Sequence, residues 1–476
     1  MAHVQAIIPN PKEHEALGKA ARKELPRSQQ ATIEFPENRR NPVDILMEQS
    51  ESRVQELVPI RYGRMSASPF TFYRGAAAIM AADLGNMPHS GLMTQLCGDA
   101  HLANFGVYSS PERRLVFDVN DFDETHPGPF EWDVKRLVAS FAVAGRHRGF
   151  SSEERRTINE AVGTAYRNAM STFASMTNME VWYAHADIDE ALSGLVVAAE
   201  DKDVPKVKRK DIARAQKLTA KAKTRTSLQA FTKMTFNTGG SPEFLSQPPL
   251  LVPVRDLMTE DQTDQVWQML RGGLSAYRRS VPDDRKHLLD QFHVVDIAHK
   301  IVGVGSVGLR AWVLLLLGRD VDDPLVLQIK QSQNSVLEPY VGRSKYRNHG
   351  QRVVNGQRLQ QAFTDIFLGW TRVTGLDGES RDFYVRQLRD GKGSADLDRM
   401  PANGMEIYAR LCGWTLARAH ARSGDRIAIA SYLGSTRTFE QAMGDFAEAY
   451  ADQNEKDYAQ MEQAIADGRI EAQAGI

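Results

Sequence analysis

Three residues within one short stretch have the types and spacing that phosphoryl transfer requires. In CGDAHLANFG, Asp99 and Asn104 stand five positions apart with His101 between them. The apolar run LVF then leads into DVNDFDE, which brings Asp121 seventeen positions after Asn104. Phosphoryl transfer needs one carboxylate to orient the attacking hydroxyl, and an amide with a second carboxylate to hold magnesium. Asp99 fits the first role, and Asn104 with Asp121 fits the second. Asp118 and Asp123 flank Asp121 as further candidates. Each residue alone also has a structural explanation: a turn cap, a left-handed asparagine, a hydrogen-bonded core histidine. The joint spacing favours chemistry. A calcium loop starting at Asp118 is excluded, because Phe122 breaks the one-three-five ligand pattern and Asp123 stands where glycine is required. A zinc hydrolase built on His101, Asp99 and Asp121 is a weaker alternative, since it would want more histidines nearby.

A second group lies two hundred residues on. GVGSVG sets Gly303, Gly305 and Gly308 in G-x-G-x-x-G spacing around Ser306. A dinucleotide fold and a kinase glycine loop share that spacing. The dinucleotide reading needs a helix after the last glycine and an acid about twenty residues on, a part open to Asp322 or Asp323. The chain continues instead as LRAWVLLLL, GRDVDDP and LVLQIK. That pattern predicts strand, glycine turn, strand, tight turn and strand, ending on Lys330. Kinases carry their phosphate-pairing lysine on the third strand in this way. Glu338 is a candidate ion-pair partner for Lys330, although Pro339 disfavours a mid-helix position there. DFYVRQLRD reads as a further strand, with Gln387 and Leu388 at its end. Arg74, in FYRG, is a candidate anion contact; the ordinary alternative is an arginine stacked on its aromatic neighbours.

The string GDAHLAN resembles the catalytic loop of the aminoglycoside and choline kinase group, and DFDETHPGPFEWD resembles their metal loop. In that group a second Asp follows the metal Asp after about a dozen residues, as Asp133 follows Asp121. Cys97 departs from the group, which usually has His before Gly-Asp. DFYVRQLRD resembles the strand entering a kinase hinge, where the backbone at Gln387 and Leu388 would bind adenine. YARLCGWTLARAHARSGD resembles the helix that runs into the catalytic loop. The parts occur as catalytic loop (97–106), Asp121, glycine loop (303–308), Lys330, hinge (383–388) and helix (405–421). This is the kinase order opened between helix and catalytic loop. The resemblance therefore implies an α+β, protein-kinase-like two-lobed fold, circularly permuted, with extra N- and C-terminal helical segments, and ATP and magnesium as cofactors. Together RYGRMSASPFTFYRG, GDAHLANFG, NDFDETHPGPFEWDVKRL, VGVGSVGLR, GQRVVNGQRLQQAFTDIFLGW and FYVRQLRD resemble one bacterial family, domain of unknown function family 2252, from about residue 40 to 460. That resemblance implies homology and no particular reaction.

The elements that must position these residues divide the chain four ways. Residues 1–60 read as an irregular, partly disordered arm with short helices, punctuated by prolines. Residues 61–290 would form the large lobe with a helical bridge, 291–400 a small β-rich lobe, and 401–476 the closing helices and acidic tail. Residues 152–200 and 405–421 show helical periodicity, and 202–225 form a basic run read as a solvated helix. In the tail, Phe439, Met443, Phe446, Tyr450, Tyr458, Met461 and Ile465 form a stripe for docking on the body. The length of 476 residues sets a prior of two to three domains. With 59 basic against 60 acidic residues the net charge is -1, which argues against a nucleic-acid coat. The apolar runs AAAIMAA and AWVLLLL fall far short of the roughly 20 residues of a membrane span. No apolar leader core opens the chain, and its two cysteines cannot build a disulfide framework. The expectation is a cytoplasmic phosphotransferase, dependent on ATP and magnesium, acting on a small-molecule hydroxyl, without membrane or specific nucleic-acid partners. The alternatives are a non-catalytic nucleotide-binding scaffold, or nucleotidyl transfer in the same cleft. Two geometric expectations follow. Lys330 and Asp121 must converge to within roughly 3–8 Å, and the helix ending near His420 must finish beside the strand entering Asp99.

Overall fold

The computed structural model describes residues 10–190, 217, 219–220, 227–237, 240–301, 303–388 and 391–475. The chain begins with α1 (Pro11–Glu24), α2 (Pro42–Glu51), α3 (Val58–Met65), α4 (Pro69–Gly75) and α5 (Ala77–Gly85). The described part of the arm carries the short helices expected of it. Asn10 and Asn41 cap α1 and α2, and a proline opens each helix. Paired strands β1 (Met93–Leu96) and β4 (His126–Pro129) bracket a hairpin of β2 (Phe105–Ser109) and β3 (Leu115–Val119). The short β5 (Ala186–Asp187) adds to β3. Between them in sequence lie α6 (Phe130–His147) and α7 (Ser152–Ser175).

Every residue of α6 from Phe130 to Gly145 is buried. A helix enclosed on all sides must either be apolar or pair its charges internally. This one does the second, and its charged residues become the fasteners of the site. Around it pack α7 and two C-terminal helices, α11 (Ala402–Ala421) and α13 (Thr438–Ala466), with α12 (Arg426–Leu433) against α1. On α13 the residues Phe439, Met443, Phe446, Tyr450 and Met461 are buried as the stripe predicts, while Tyr458 and Ile465 are partly buried. Its outer acids Glu448, Asp452 and Glu455 meet Arg146.

Residues 251–387 supply an antiparallel six-stranded sheet. Its strands are β8 (Leu251–Pro253), β9 (His293–Lys300), β10 (Ala311–Leu317), β11 (Pro324–Ser332), β12 (Gly369–Thr374) and β13 (Ser380–Gln387). The spatial order is β12-β13-β11-β10-β9-β8. The glycine segment joins β9 to β10, Lys330 lies on β11, and α10 (His349–Gln360) connects β11 towards β12. Both faces of β10 are covered, as an unbroken AWVLLLL run requires. On one face α9 (Glu260–Ser280) packs over Leu314, Leu327, Ile329 and Phe383. On the other, α8 (Ser227–Met234) and a two-stranded hairpin of β6 (Thr235–Asn237) and β7 (Pro242–Phe244) bring Phe231, Met234 and Phe244 against Val313, Leu315 and Val326.

Helix and sheet are therefore mixed, an α+β chain. The end of α11 does lie beside β1: Thr94 Oγ1 donates to the His420 carbonyl at 3.2 Å, and the Gln95 N–H to Ser423 Oγ at 3.2 Å. Apart from residues 217, 219 and 220, the basic run 202–225 lies outside the described residues, as does 191–200 of the predicted helical stretch. Among the described residues no helix is long and apolar enough to cross a membrane.

Candidate functional site

The loop from Cys97 to Asn104 is fastened to α6 at three levels. Asp133 accepts the N–H groups of Cys97 at 2.8 Å and Gly98 at 3.1 Å. One turn on, Arg136 grips Asp99 Oδ1 through Nε at 2.9 Å and Nη2 at 2.8 Å. One turn further, Ser140 Oγ accepts the Leu102 N–H at 2.9 Å. Arg136 also donates to the Tyr73 carbonyl at 2.7 Å and stacks over the Tyr73 ring, so α4 is held with the loop. Gly98 has φ of 84°, and a Cβ there would lie 2.3 Å from the Glu124 carbonyl oxygen. The glycine thus permits both the turn and the close approach of the 121–125 segment.

Asp99 is partly buried, and its loss of solvent raises the carboxyl above the ordinary range, with Arg136 opposing the rise. His101 lies 3.6 Å from Asp99 through Nε2. Burial, with Arg74 and Arg136 nearby, holds its imidazole neutral. The Asn104 amide nitrogen donates to the Asp99 carbonyl at 2.8 Å, which leaves the amide oxygen for a cation. Burial would also raise Asp121, but Lys330, Arg386 and Lys392 outweigh it and hold the carboxyl below its usual range. Lys330 is itself pushed upward against its burial, by Asp121 and then Asp123. Its ammonium forms an ion pair with Asp123 Oδ2. Asp123 Oδ1 is buried and has no hydrogen-bond partner among the described residues.

The glycine segment closes over this group. Ser306 Oγ donates to Asp123 Oδ2 at 3.4 Å. Gly303 and Gly308 have φ of 68° and 86°. The end of the arm and α3 anchor the segment: the Val54 N–H donates to the Gly308 carbonyl at 2.9 Å, Arg53 Nη1 to the Val307 carbonyl at 2.5 Å, and Arg64 of α3 to the Gly303 carbonyl. A cleft of about 790 Å³ results, lined by Asp99, His101, Asn104, Asp121, Asp123, Arg74, Gly303, Gly305 and Ser306. Two motif groups separated by two hundred residues thus share one cavity.

Other candidates go elsewhere. Asp118 is buried in an ion pair with Arg418 and accepts the Ala362 N–H at 3.2 Å, so its charge is consumed by packing. Glu338 accepts from Asn334 Nδ2 at 3.2 Å at the start of a four-residue helix; Asp123, not Glu338, partners Lys330. Gln387 and Leu388 line a neighbouring cavity of about 290 Å³, beside Tyr108, Asn120 and Arg386. Their N–H groups are engaged, by the Asp365 carboxylate and by the Val326 carbonyl at 2.9 Å. The sequence reading did not single out Arg136 or Ser140, although Asp133, Arg136 and Ser140 follow helical spacing on one face. It also missed Glu124, Arg53, Arg61 and Arg352. Arg352 of α10 donates to the carbonyls of Asp123 at 2.8 Å, Thr125 at 2.6 Å and Gln333 at 2.8 Å, which couples that helix to the Asp121 segment. Among the described residues no three His, Cys, Asp or Glu side chains are grouped to hold a metal ion unaided. The zinc hydrolase alternative loses its ligand set.

No curated protein and no solved structure matches the chain. A family model described as "Uncharacterized protein conserved in bacteria (DUF2252)" matches residues 53–464. That match takes in both motif groups, the buried helix that fastens the first and the sheet that carries the second, and the chain belongs to the DUF2252 family of bacterial proteins.

Proposed function

We propose that the cleft transfers the γ-phosphoryl group of ATP, with magnesium, to a hydroxyl of a small molecule, on a circularly permuted kinase-like frame. The observation that carries this reading is the ion pair of Lys330 with Asp123, 207 positions apart, which draws the glycine-and-lysine group onto the Asp99–Asn104–Asp121 group around one cleft. The strand order supports it as well. Counted from β9, the glycine turn lies between the first two strands, the lysine on the third and a helix before the last two, the arrangement a kinase small lobe requires; β8 precedes them as an additional edge strand. The meeting of α11 with β1 is what a permuted opening at that point would need.

The donor set fits magnesium: the Asn104 amide oxygen and the Asp121 carboxylate are hard oxygen ligands, and the orphaned Asp123 Oδ1 is a third. When bound, the ion would neutralise phosphate charge. Asp99 orients the acceptor hydroxyl and receives its proton as the acceptor oxygen bonds to the γ-phosphorus and the bond to the β-phosphate oxygen breaks, releasing ADP. Its raised carboxyl pKa suits a base, and Arg136 fixes its direction. Arg74 has no charged hydrogen-bond partner among the described residues and feels both Asp99 and Asp121, so it is placed to meet developing phosphoryl charge. Lys330 is already fully charged for a phosphate oxygen.

The test is incubation with ATP labelled at the γ or the α position, followed by a search for labelled product. γ-Label alone is expected to transfer. ATP with magnesium should raise the melting temperature by mass action, and NAD should not. Stabilisation by NAD alone would return the glycine segment to a dinucleotide role. The engaged N–H groups of Gln387 and Leu388 favour one second reading, nucleotidyl transfer with ATP reversed in the cleft. Transfer of α-label would establish it.

A further inference from the structure

The two walls of the cleft are charged unequally. On the wall from β11, β13 and the 99–124 loops, three of the acids are ion-paired, Asp99 with Arg136, Asp123 with Lys330, and Asp382 with Arg372 at 2.6 Å, while Asp121 and Glu124 line the cleft without a salt bridge among the described residues. On the wall from α3, α4 and the turn after α2 stand Arg61, Arg74 and Arg53, and among the described residues none has a carboxylate within salt-bridge distance. Arg61 is fully buried. Its guanidinium donates only to neutral acceptors, the Ser50 hydroxyl at 3.1 Å, the Gln49 amide oxygen at 3.1 Å and the Leu46 and Gly75 carbonyls, and its Nε has no partner. Arg53 donates to two backbone carbonyls, and the buried Nε of Arg74 has no partner. Neutral acceptors satisfy donors without balancing charge, and a buried cation left without an anion is strongly unfavourable. Burial and then Arg61 push Arg53 down to about 9, against Glu124 and Asp123, and burial pushes Arg61 down to about 10.

We infer that this wall is an anion subsite for a phosphate group carried by the acceptor molecule. Three guanidiniums without counter-ions match a dianion better than a single carboxylate. Arg74 feels Asp99, so an anion held on this wall would bring the rest of its molecule to the carboxylate that orients the hydroxyl. The assignment of that anion to the acceptor rests on the phosphotransfer reading; the preference of the wall for phosphate does not.

Titrating inorganic phosphate into the full chain, with and without saturating ADP and magnesium, tests both parts. Wild type should bind phosphate in either condition, and Arg53→Gln or Arg74→Gln should weaken it about tenfold per lost charge-assisted contact. Arg53, only partly buried, serves where Arg61→Gln fails to fold. ADP binding without phosphate binding would overturn the subsite and leave the nucleotide reading standing. Phosphate binding without ADP binding would keep the subsite and overturn phosphotransfer. Displacement of phosphate by ADP would make the wall the nucleotide's own and overturn the acceptor assignment. Acetate binding as tightly as phosphate would overturn the ligand class.

Discussion

Ile329 and Lys330 are neighbours on β11, and they face opposite problems. Ile329 points with Leu327, Phe383 and Val385 towards α9, where the sheet and helix leave an apolar cavity of about 300 Å³. Lys330 is on the other face, with Asp121 and Asp123 against it. On the apolar face, contacts are interchangeable: many side chains share the burial, and space can be left unfilled. On the charged face, each group's state depends on a particular neighbour, so a single removal propagates. One strand serves both because its side chains alternate.

The largest effects should come from the charged face. Asp99→Asn is expected to lower turnover by about 10²–10⁴ while nucleotide binding is retained, because the group acts in the chemical step. Asp121→Asn should weaken magnesium-dependent nucleotide binding. Equal losses of binding in both variants, measured by titration calorimetry, would dissolve the division of roles.

Next comes the ion pair itself. Asp123→Ala leaves the Lys330 ammonium buried beside Asp121 alone, with an expected loss of about 3–5 kcal/mol in urea unfolding. The double variant Asp123→Ala with Lys330→Met should recover much of that loss, since both charges are then gone. A single-variant loss below about 1 kcal/mol would mean that the two faces differ less than their chemistry implies.

On the apolar face the expected costs are graded by packing. Leu327→Ala, at a fully buried position, should cost about 2–5 kcal/mol. Ile329→Val, beside the cavity, should cost only about 0.5–1.5 kcal/mol. Similar losses per methyl group at both positions would show that the cavity side is packed as tightly as the rest.

What the sequence revealed divides along the same line. The strands around Lys330, the helix over 405–421 and the α13 stripe were legible because periodicity reports burial directly. The glycine and Asp99–Asn104–Asp121 groups stood out because each lies within one short segment, and the fold brings both to one cleft. Asp118 looked like a site residue because the acids of DVNDFDE are equivalent on paper; only the arrival of Arg418, three hundred positions away, separates it from Asp121. Arg53 at the end of the arm and Arg61 just past it were not singled out, since they sit in proline-marked sequence and gain their meaning from the cleft they meet. The hinge donors failed for a related reason: a strand end shows where N–H groups lie, but not that Asp365 has already taken one.

The finest distinction between the faces is a proton. Glu124 lines the cleft, and burial, with Asp123 and Asp99 adding to it, pushes its carboxyl up from 4.5 to about 7, despite Arg352 and the Val336 N–H donating at 2.8 Å. Between those two values the folded chain holds a proton that the unfolded chain has lost. Folding is then favoured fully below about pH 4.5, and this contribution is lost as the pH rises through about 7. At 1.36 kcal/mol per pH unit the span amounts to roughly 3 kcal/mol at most. Glu124→Gln keeps the shape and cannot titrate. Urea unfolding at pH 5 and pH 8 should therefore show wild type losing more stability on the rise than the variant does. Parallel behaviour of the two would mean that Glu124 is already ionised at pH 5, and that the acidic wall of the cleft carries one more uncompensated charge than its neighbours indicate.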